Sequence, residues 1–215
     1  MERELQAREG LYSLLRALFS YPLTEPVLDA VASLAVGPGS PLASGLERMQ
    51  ARLQEHPDRT ALLEDLNIEM TRLMEGPGRV PAPPYASFYL CGGQLMGPPA
   101  IAARQIYLTW QAIPEADWRL PADHIALELG FLAHLARRAR QAADPEERAR
   151  ALQASRDFLQ QHVWSWVPHF CQALREASAD PFFRGLAELT QEAVGLDLQW
   201  LEGLLTEDSD RLCGI

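Results

Sequence analysis

Residues 121–142 read PADHIALELGFLAHLARRARQA. The apolar side chains of this stretch recur every three or four residues, and they therefore fall on one side of an α-helix. They are Ile125, Leu129, Leu132 and Leu135. Pro121 favours the start of a helix, because its fixed φ angle suits the first turn, where its missing N–H needs no partner. The stretch predicts an amphipathic helix over about 121–142.

The same spacing recurs along most of the chain. It predicts further helices over about 2–20, 25–35, 41–55, 58–74, 98–113, 144–163, 165–178 and 181–204. Asp58 and Asp144 are placed to cap two of them. No stretch of useful length alternates with a period of two. We therefore expect an all-α fold of about eight to ten helices: a single compact domain over residues 1–205, then a polar, frayed tail over 206–215.

Residues 75–99 differ in kind from the helical stretches. Residues 75–84, EGPGRVPAPP, hold four prolines and two glycines, which excludes an ordinary helix. They lead into YASFYL at 85–90, whose aromatic side chains need cover. A loop of this length inside a compact domain is usually either functional or disordered, and the aromatic residues that need cover disfavour disorder. We expect one long, proline-rigid, aromatic loop over 75–99, whose side chains either fill the core or line a groove for an apolar peptide.

The composition excludes several classes of function. The net charge is −10, and an acidic surface is unsuited to nucleic acid; it either keeps the chain soluble or favours a cationic partner. The chain has no lysine, so it lacks the residue of a phosphate-binding loop or a Schiff base. Three distant cysteines predict neither a disulfide framework nor a cysteine-rich zinc site.

The chain also lacks the sequence features of secretion and of membrane insertion. Its charged first ten residues have no apolar core of a signal peptide, and no run of about 18 apolar residues exists. Free thiols suit a reducing compartment. We expect a cytoplasmic protein without stable membrane insertion.

The common catalytic motifs are absent as well. We find no nucleophile elbow, zinc-protease helix, phosphate-binding loop or dinucleotide fingerprint. His124 and Glu128 are four residues apart and share a helix face, but His134 lies elsewhere on the helix surface and supplies no third metal ligand. We expect no metal, no cofactor and no catalytic site, and hence a binding protein.

The Asp123-His124 pair has two interpretations from the residues alone. Asp123 in the first turn of a helix interacts well with the helix dipole, and His124 beside it can be a structural histidine. The same pair, exposed at a helix start, can instead bind a cation or a peptide backbone. The local pattern leaves both interpretations open.

The quoted motifs resemble those of a known family. Residues 83–90, PPYASFYL, followed by 92–97, GGQLMG, look like the signature loop of the TorD/DmsD/NarJ-type chaperones, and residues 121–131 resemble the family's second motif. The likeness covers most of the chain, and the two motifs at their relative spacing are specific. The likeness continues through residues 11–23, 166–170 and 182–187, and it is weakest from 25 to 65.

This resemblance implies a function and a site. Family members are cytoplasmic, all-helical chaperones without a cofactor, which bind the twin-arginine signal peptide, and often the body, of a molybdenum-containing oxidoreductase until its cofactor is inserted. Carried onto this chain, the family's binding residues are Leu73, Met74, Pro84, Tyr85, Asp123 and His124. The chain departs from the family at Met74, where an aromatic residue is common, and at Ala86, where glutamate is frequent.

We therefore expect a signal-peptide-binding maturation chaperone, acting as a monomer or a domain-swapped dimer. In this hypothesis Leu73, Met74, Pro84 and Tyr85 form a groove for the apolar part of the peptide. Asp123 pairs with a peptide arginine, and His124 contacts the peptide backbone or fixes the Asp123 rotamer. The alternative is an all-α scaffold that binds a folded partner without a peptide groove; a nucleotide-dependent enzyme is disfavoured by the absent phosphate loop.

Overall fold

In a computed structural model, the described residues are 1–56, 58–76, 78–112 and 120–213, with side chains described as far as residue 206. They contain ten α-helices and two π-helical turns, Thr71–Glu75 and Leu159–Val163. The α-helices are α1 Glu2–Leu18, α2 Glu25–Ser33, α3 Ala43–Glu55, α4 Arg59–Met70, α5 Ala86–Leu90, α6 Pro98–Thr109, α7 Ile125–Gln141, α8 Pro145–Phe158, α9 Val167–Ala177 and α10 Pro181–Cys213. The described part has no strand, and the predicted all-α fold is confirmed.

Two predicted helix caps are confirmed in detail. The Asp58 side chain accepts hydrogen bonds from the Thr60 and Ala61 amides at the start of α4, and Asp144 accepts one from the Glu146 amide at the start of α8. Each carboxylate satisfies amides that have no partner within the helix.

Three predicted boundaries were wrong. The helix expected from Pro121 begins at Ile125, because residues 121–124 form a turn in which the His124 amide bonds to the Pro121 carbonyl at 3.0 Å. The loop expected over 75–99 is interrupted by α5. The chain expected to fray from Thr206 continues as α10 to Cys213, since this polar run contains no helix breaker. The predicted end of the sixth helix, near residue 113, lies outside the described residues; α6 ends at Thr109.

The core lies between α7 and the helices that surround it. Helix α7 packs along α1 and α8, and α10 packs along α3 and α9. Helices α3 and α10 meet at Gly45 and Gly185, where a Cβ atom on either residue would lie within 2.7 Å of the partner helix's backbone. At the other side of α10, the Arg8 guanidinium of α1 pairs with the buried Asp197 carboxylate, which also accepts a hydrogen bond from the Tyr12 hydroxyl at 2.7 Å. This packing fixes α7, whose first residues carry the second motif.

Candidate functional site

The two motif segments lie side by side. The Ala86 amide donates to the Asp123 carbonyl at 3.0 Å, and the Ile125 amide donates to the Pro84 carbonyl at 2.9 Å. These bonds form an isolated antiparallel bridge between Tyr85 and His124, whose rings meet edge to face at a centroid distance of 5.1 Å. The loop and the start of α7 are therefore one structural unit, which we call the motif junction (residues 84–87 and 122–125).

Asp123 is the polar centre of the motif junction. Its Oδ2 atom accepts hydrogen bonds from the Ser87 amide at 2.7 Å and the Ser87 hydroxyl at 2.5 Å. Both residues are completely buried, and Oδ1 of Asp123 has no hydrogen-bond partner. Because α7 begins at Ile125, Asp123 precedes the helix and does not lie in its first turn. Because the carboxylate is buried, a peptide arginine cannot reach it in this conformation.

His124 is the N-cap of α7. Its Nδ1 atom accepts a hydrogen bond from the Ala126 amide at 3.1 Å, so a neutral ring carries its proton on Nε2. Nε2 is buried without a hydrogen-bond partner, 4.0 Å from the Glu75 carboxylate. Burial lowers the pKa of His124 to about 4, and burial also raises the pKa of Glu75. The ring is therefore neutral at pH 7 and caps α7.

The other four expected site residues do not line an open groove. Leu73 and Met74 lie in the first π-helical turn and are 0% and 3% exposed. Pro84 is buried, and only Tyr85 is partly exposed. The Leu73 carbonyl accepts a hydrogen bond from the Ala82 amide at 3.0 Å, which holds the proline-rich loop over this part of the core. The structure brings all six residues to one region but makes five of them core.

An open apolar pocket lies next to the motif junction. It has a volume of about 400 Å³ and lies between α6 and α7, with Pro121 and Ala122 along one edge. Tyr107 and Phe131, 5% and 2% exposed, supply buried rings to its lining, whereas Met96 and Ile101 are 72% and 60% exposed at its rim. The remaining lining residues are Arg16, Ala100, Arg104, Ala112, Leu120, Leu127 and Gly130.

The sequence motifs do not predict this pocket, although the sequence of α6 contains a signal for it. Helix α6 reads PPAIAARQIYLT and has apolar residues on more than one face. Ala103 and Tyr107 face the core, whereas Ile101 and Leu108 remain more than half exposed. Large apolar side chains on the face away from the core are typical of a binding surface.

The pocket and the motif junction share a segment of chain. The Tyr107 hydroxyl, in α6, donates to the Ala122 carbonyl at 2.9 Å. Ala122 lines the pocket and immediately precedes Asp123. Ala122 therefore belongs both to the motif junction and to one edge of the pocket.

A buried carboxyl group lies one turn beyond His124. Glu128 is 1% exposed, and its Oε2 atom accepts a hydrogen bond from the Trp166 indole at 2.9 Å. Burial raises the pKa of Glu128 well above its usual range, more than the Trp166 hydrogen bond lowers it. Within the described residues, no three His, Cys, Asp or Glu side chains are grouped to hold a metal ion, and no helix is long and apolar enough to cross a membrane.

The fold and this site define an all-helical protein in which two hydrogen-bonded motif segments lie beside an open apolar pocket. The nitrate reductase delta subunit family model matches residues 40–172, which include both motif segments, α6 and α7. The chain belongs to this family, the TorD/NarJ-type maturation chaperones.

Individual relatives agree with the family match. The chain is 30% identical to a chaperone protein TorD of Vibrio cholerae over 94% of this chain and 95% of that protein. It is 26% identical to a TorD of Aliivibrio salmonicida over 92% and 96% of the two chains. It also resembles the crystal structure of a protein from Archaeoglobus fulgidus described as a redox enzyme maturation protein, with a TM-score of 0.52, 25% identity and coverage of 85% and 91%.

Proposed function

We propose that this chain is a cytoplasmic chaperone that binds the twin-arginine signal peptide, or the apo form, of a molybdenum-containing oxidoreductase before export or membrane assembly. The single observation that carries the peptide-binding part is the open apolar pocket beside the motif junction. The family membership supports the maturation role, and the relatives that match are named chaperones.

The shape of the pocket suits one part of such a peptide. A twin-arginine signal peptide has a cationic segment followed by an apolar one. A cavity of about 400 Å³ with exposed Met96 and Ile101 at its rim can bury several apolar side chains of the second segment. Burial of this surface on binding is favourable in proportion to the apolar area removed from water.

Charge contributes to the proposed complex at long range. The chain as a whole carries a net charge of −10, which attracts the cationic segment at long range. The proposed complex therefore has the apolar segment in the pocket, and the negatively charged chain attracts the arginines.

Calorimetric titration tests this proposal. The purified chain is titrated with a synthetic twin-arginine signal peptide from an oxidoreductase encoded near its gene, and with the same peptide in which the apolar segment is replaced by serine and glutamine. We expect saturable binding of the first peptide and binding at least about 10-fold weaker for the second, a difference of about 1.4 kcal/mol. Failure of the chain to bind either the peptide or the parent apo-oxidoreductase refutes the proposal.

Competition separates the proposal from the alternative of a scaffold without a peptide groove. The chain is first bound to the apo-oxidoreductase, and free signal peptide is then added. We expect the peptide to displace the precursor, because the two share the pocket. A precursor that binds tightly and is not displaced at saturating peptide supports the scaffold instead.

A further inference from the structure

We infer that Asp123 is a positioning residue, which sets the α6 wall of the pocket through Ser87 and Gly97 and does not itself pair with a peptide arginine. This inference rests on the proposed peptide-binding function. It replaces the direct role in peptide binding that the family resemblance suggests for Asp123.

The first link joins the start of α7 to α5. One carboxylate oxygen of Asp123 accepts hydrogen bonds from both the amide and the hydroxyl of Ser87, at 2.7 and 2.5 Å. Hydrogen bonds to an ionised carboxylate are stronger than neutral ones and fix geometry more tightly. Because Ser87 is completely buried, no water competes for these bonds in the folded chain.

The second link joins Ser87 to α6. The Ser87 hydroxyl has one proton, which it donates to Asp123, and it then accepts a hydrogen bond from the Gly97 amide at 2.9 Å. Gly97 is the N-cap residue of α6. A Cβ atom on Gly97 would lie 3.1 Å from the Cys91 sulfur and 3.4 Å from the Ser87 hydroxyl, so the two segments approach closely here. The orientation of Ser87 therefore determines where α6 begins.

The third link is α6 itself, since it forms one wall of the pocket. Met96 directly precedes Gly97, and Ala100, Ile101 and Tyr107 follow it along the helix. The far end of this wall is tied by the Tyr107 hydroxyl to the Ala122 carbonyl, at 2.9 Å. Both ties lead back to residues 122 and 123, so the motif junction holds the wall at two points.

The burial of Asp123 argues against direct pairing with the peptide. The side chain is 0% exposed, and one of its oxygens already accepts two hydrogen bonds. A peptide arginine could reach it only after the motif junction opened, and Ser87 would then lose its buried acceptor, which is costly. In the closed structure the carboxylate acts on the peptide only through α6.

Three variants separate the two roles: Asp123→Asn, Asp123→Ala and Ser87→Ala. The asparagine amide oxygen can accept both Ser87 hydrogen bonds without a charge, whereas alanine cannot. For a positioning role, we expect the Asp123→Asn chain to bind the signal peptide within about threefold of wild type, and the Asp123→Ala and Ser87→Ala chains to bind at least 10-fold more weakly. For a direct ion pair, Asp123→Asn would lose as much as Asp123→Ala, and Ser87→Ala would bind like wild type.

A second measurement uses the peptide, and a general loss of stability cannot mimic its result. Each arginine of the twin pair is replaced by glutamine, and the fold-loss in affinity is compared between the wild-type and Asp123→Asn chains. Equal fold-losses support the positioning role, and a fold-loss that vanishes in the variant overturns it. Urea denaturation checks that each variant is folded. If the Asp123→Ala chain does not fold, the peptide affinities of the Asp123→Asn and Ser87→Ala chains still distinguish the two roles. If the wild-type chain binds no peptide, the proposed function has failed, which is a different result.

Discussion

Replacement of His124 by asparagine is expected to remove a pH-dependent loss of stability. Asparagine keeps an acceptor near the position of Nδ1 and is a favoured N-cap, so the Ala126 amide retains a partner. The variant loses the packing of the imidazole against Tyr85 at every pH. In return, the variant contains no buried base at position 124, so its stability no longer depends on the protonation of that residue.

The size of the effect follows from the pKa of His124. Burial lowers that pKa to about 4 in the folded chain, whereas an unfolded histidine titrates near 6.5. Unfolding therefore takes up a proton between these values, and the free energy of unfolding falls as the pH falls from about 6.5 toward 4. Between pH 7.5 and pH 5.0 the wild-type chain should lose about 2 kcal/mol through this residue.

Urea denaturation at pH 7.5 and pH 5.0, followed by far-UV circular dichroism, measures this loss. We expect the difference in unfolding free energy between wild type and His124→Asn to shift by about 2 kcal/mol between the two pH values, in favour of the variant at pH 5.0. Parallel pH dependences for the two chains would refute the assignment of His124 as a buried neutral base.

Two further predictions concern the buried acid Glu128 and the crossing of α3 and α10. Glu128→Gln should stabilise the chain at pH 7.5 and have little effect at pH 4.5. Because burial raises the pKa of Glu128, the wild type loses stability as the pH rises from the pKa of the unfolded chain toward that of the folded chain. Urea denaturation at both pH values measures this effect, and a variant less stable than wild type at pH 7.5 would contradict it. Gly185→Ala should cost about 1–3 kcal/mol of unfolding free energy, because its Cβ atom would meet the Gly45 carbonyl at 2.5 Å. Gly203 lies in the same helix with open space around its Cβ position, so Gly203→Ala should stabilise the chain by about 0.5–1 kcal/mol, because alanine favours a helix more than glycine does. Equal changes in unfolding free energy for the two alanine variants would refute the close crossing of the helices.

The helices were largely predictable because their signals are local. Apolar spacing and the Asp58 and Asp144 caps depend on residues within a few positions of one another, and all of them are found in the structure. The start of α7 was misplaced because it depends on a distant partner. Asp123 bonds to Ser87 across the fold and leaves His124 to cap the helix, and no local pattern contains that contact.

The candidate site was predictable only in part, for the same reason. The sequence identified the six motif residues, and the structure brings them into one region. The burial of Asp123 and His124 could not be read from residue type, since aspartate is mostly exposed and histidine is intermediate. The open pocket depends on how α6 lies against α7. The sequence signals a binding surface there only through apolar residues on the outer face of α6, Ile101 and Leu108.

The most direct test of the account compares two isoleucines by peptide titration. Ile101 in α6 is 60% exposed at the pocket rim, and Ile68 in α4 is 69% exposed away from this pocket. Full burial of an isoleucine contributes about 1.5–3 kcal/mol, so peptide binding over the exposed part of Ile101 should contribute about 1–2 kcal/mol. We predict that Ile101→Ala weakens binding of the twin-arginine peptide about 5- to 30-fold and that Ile68→Ala leaves the dissociation constant unchanged. Equal affinities for both variants would contradict the claim that this pocket receives the peptide.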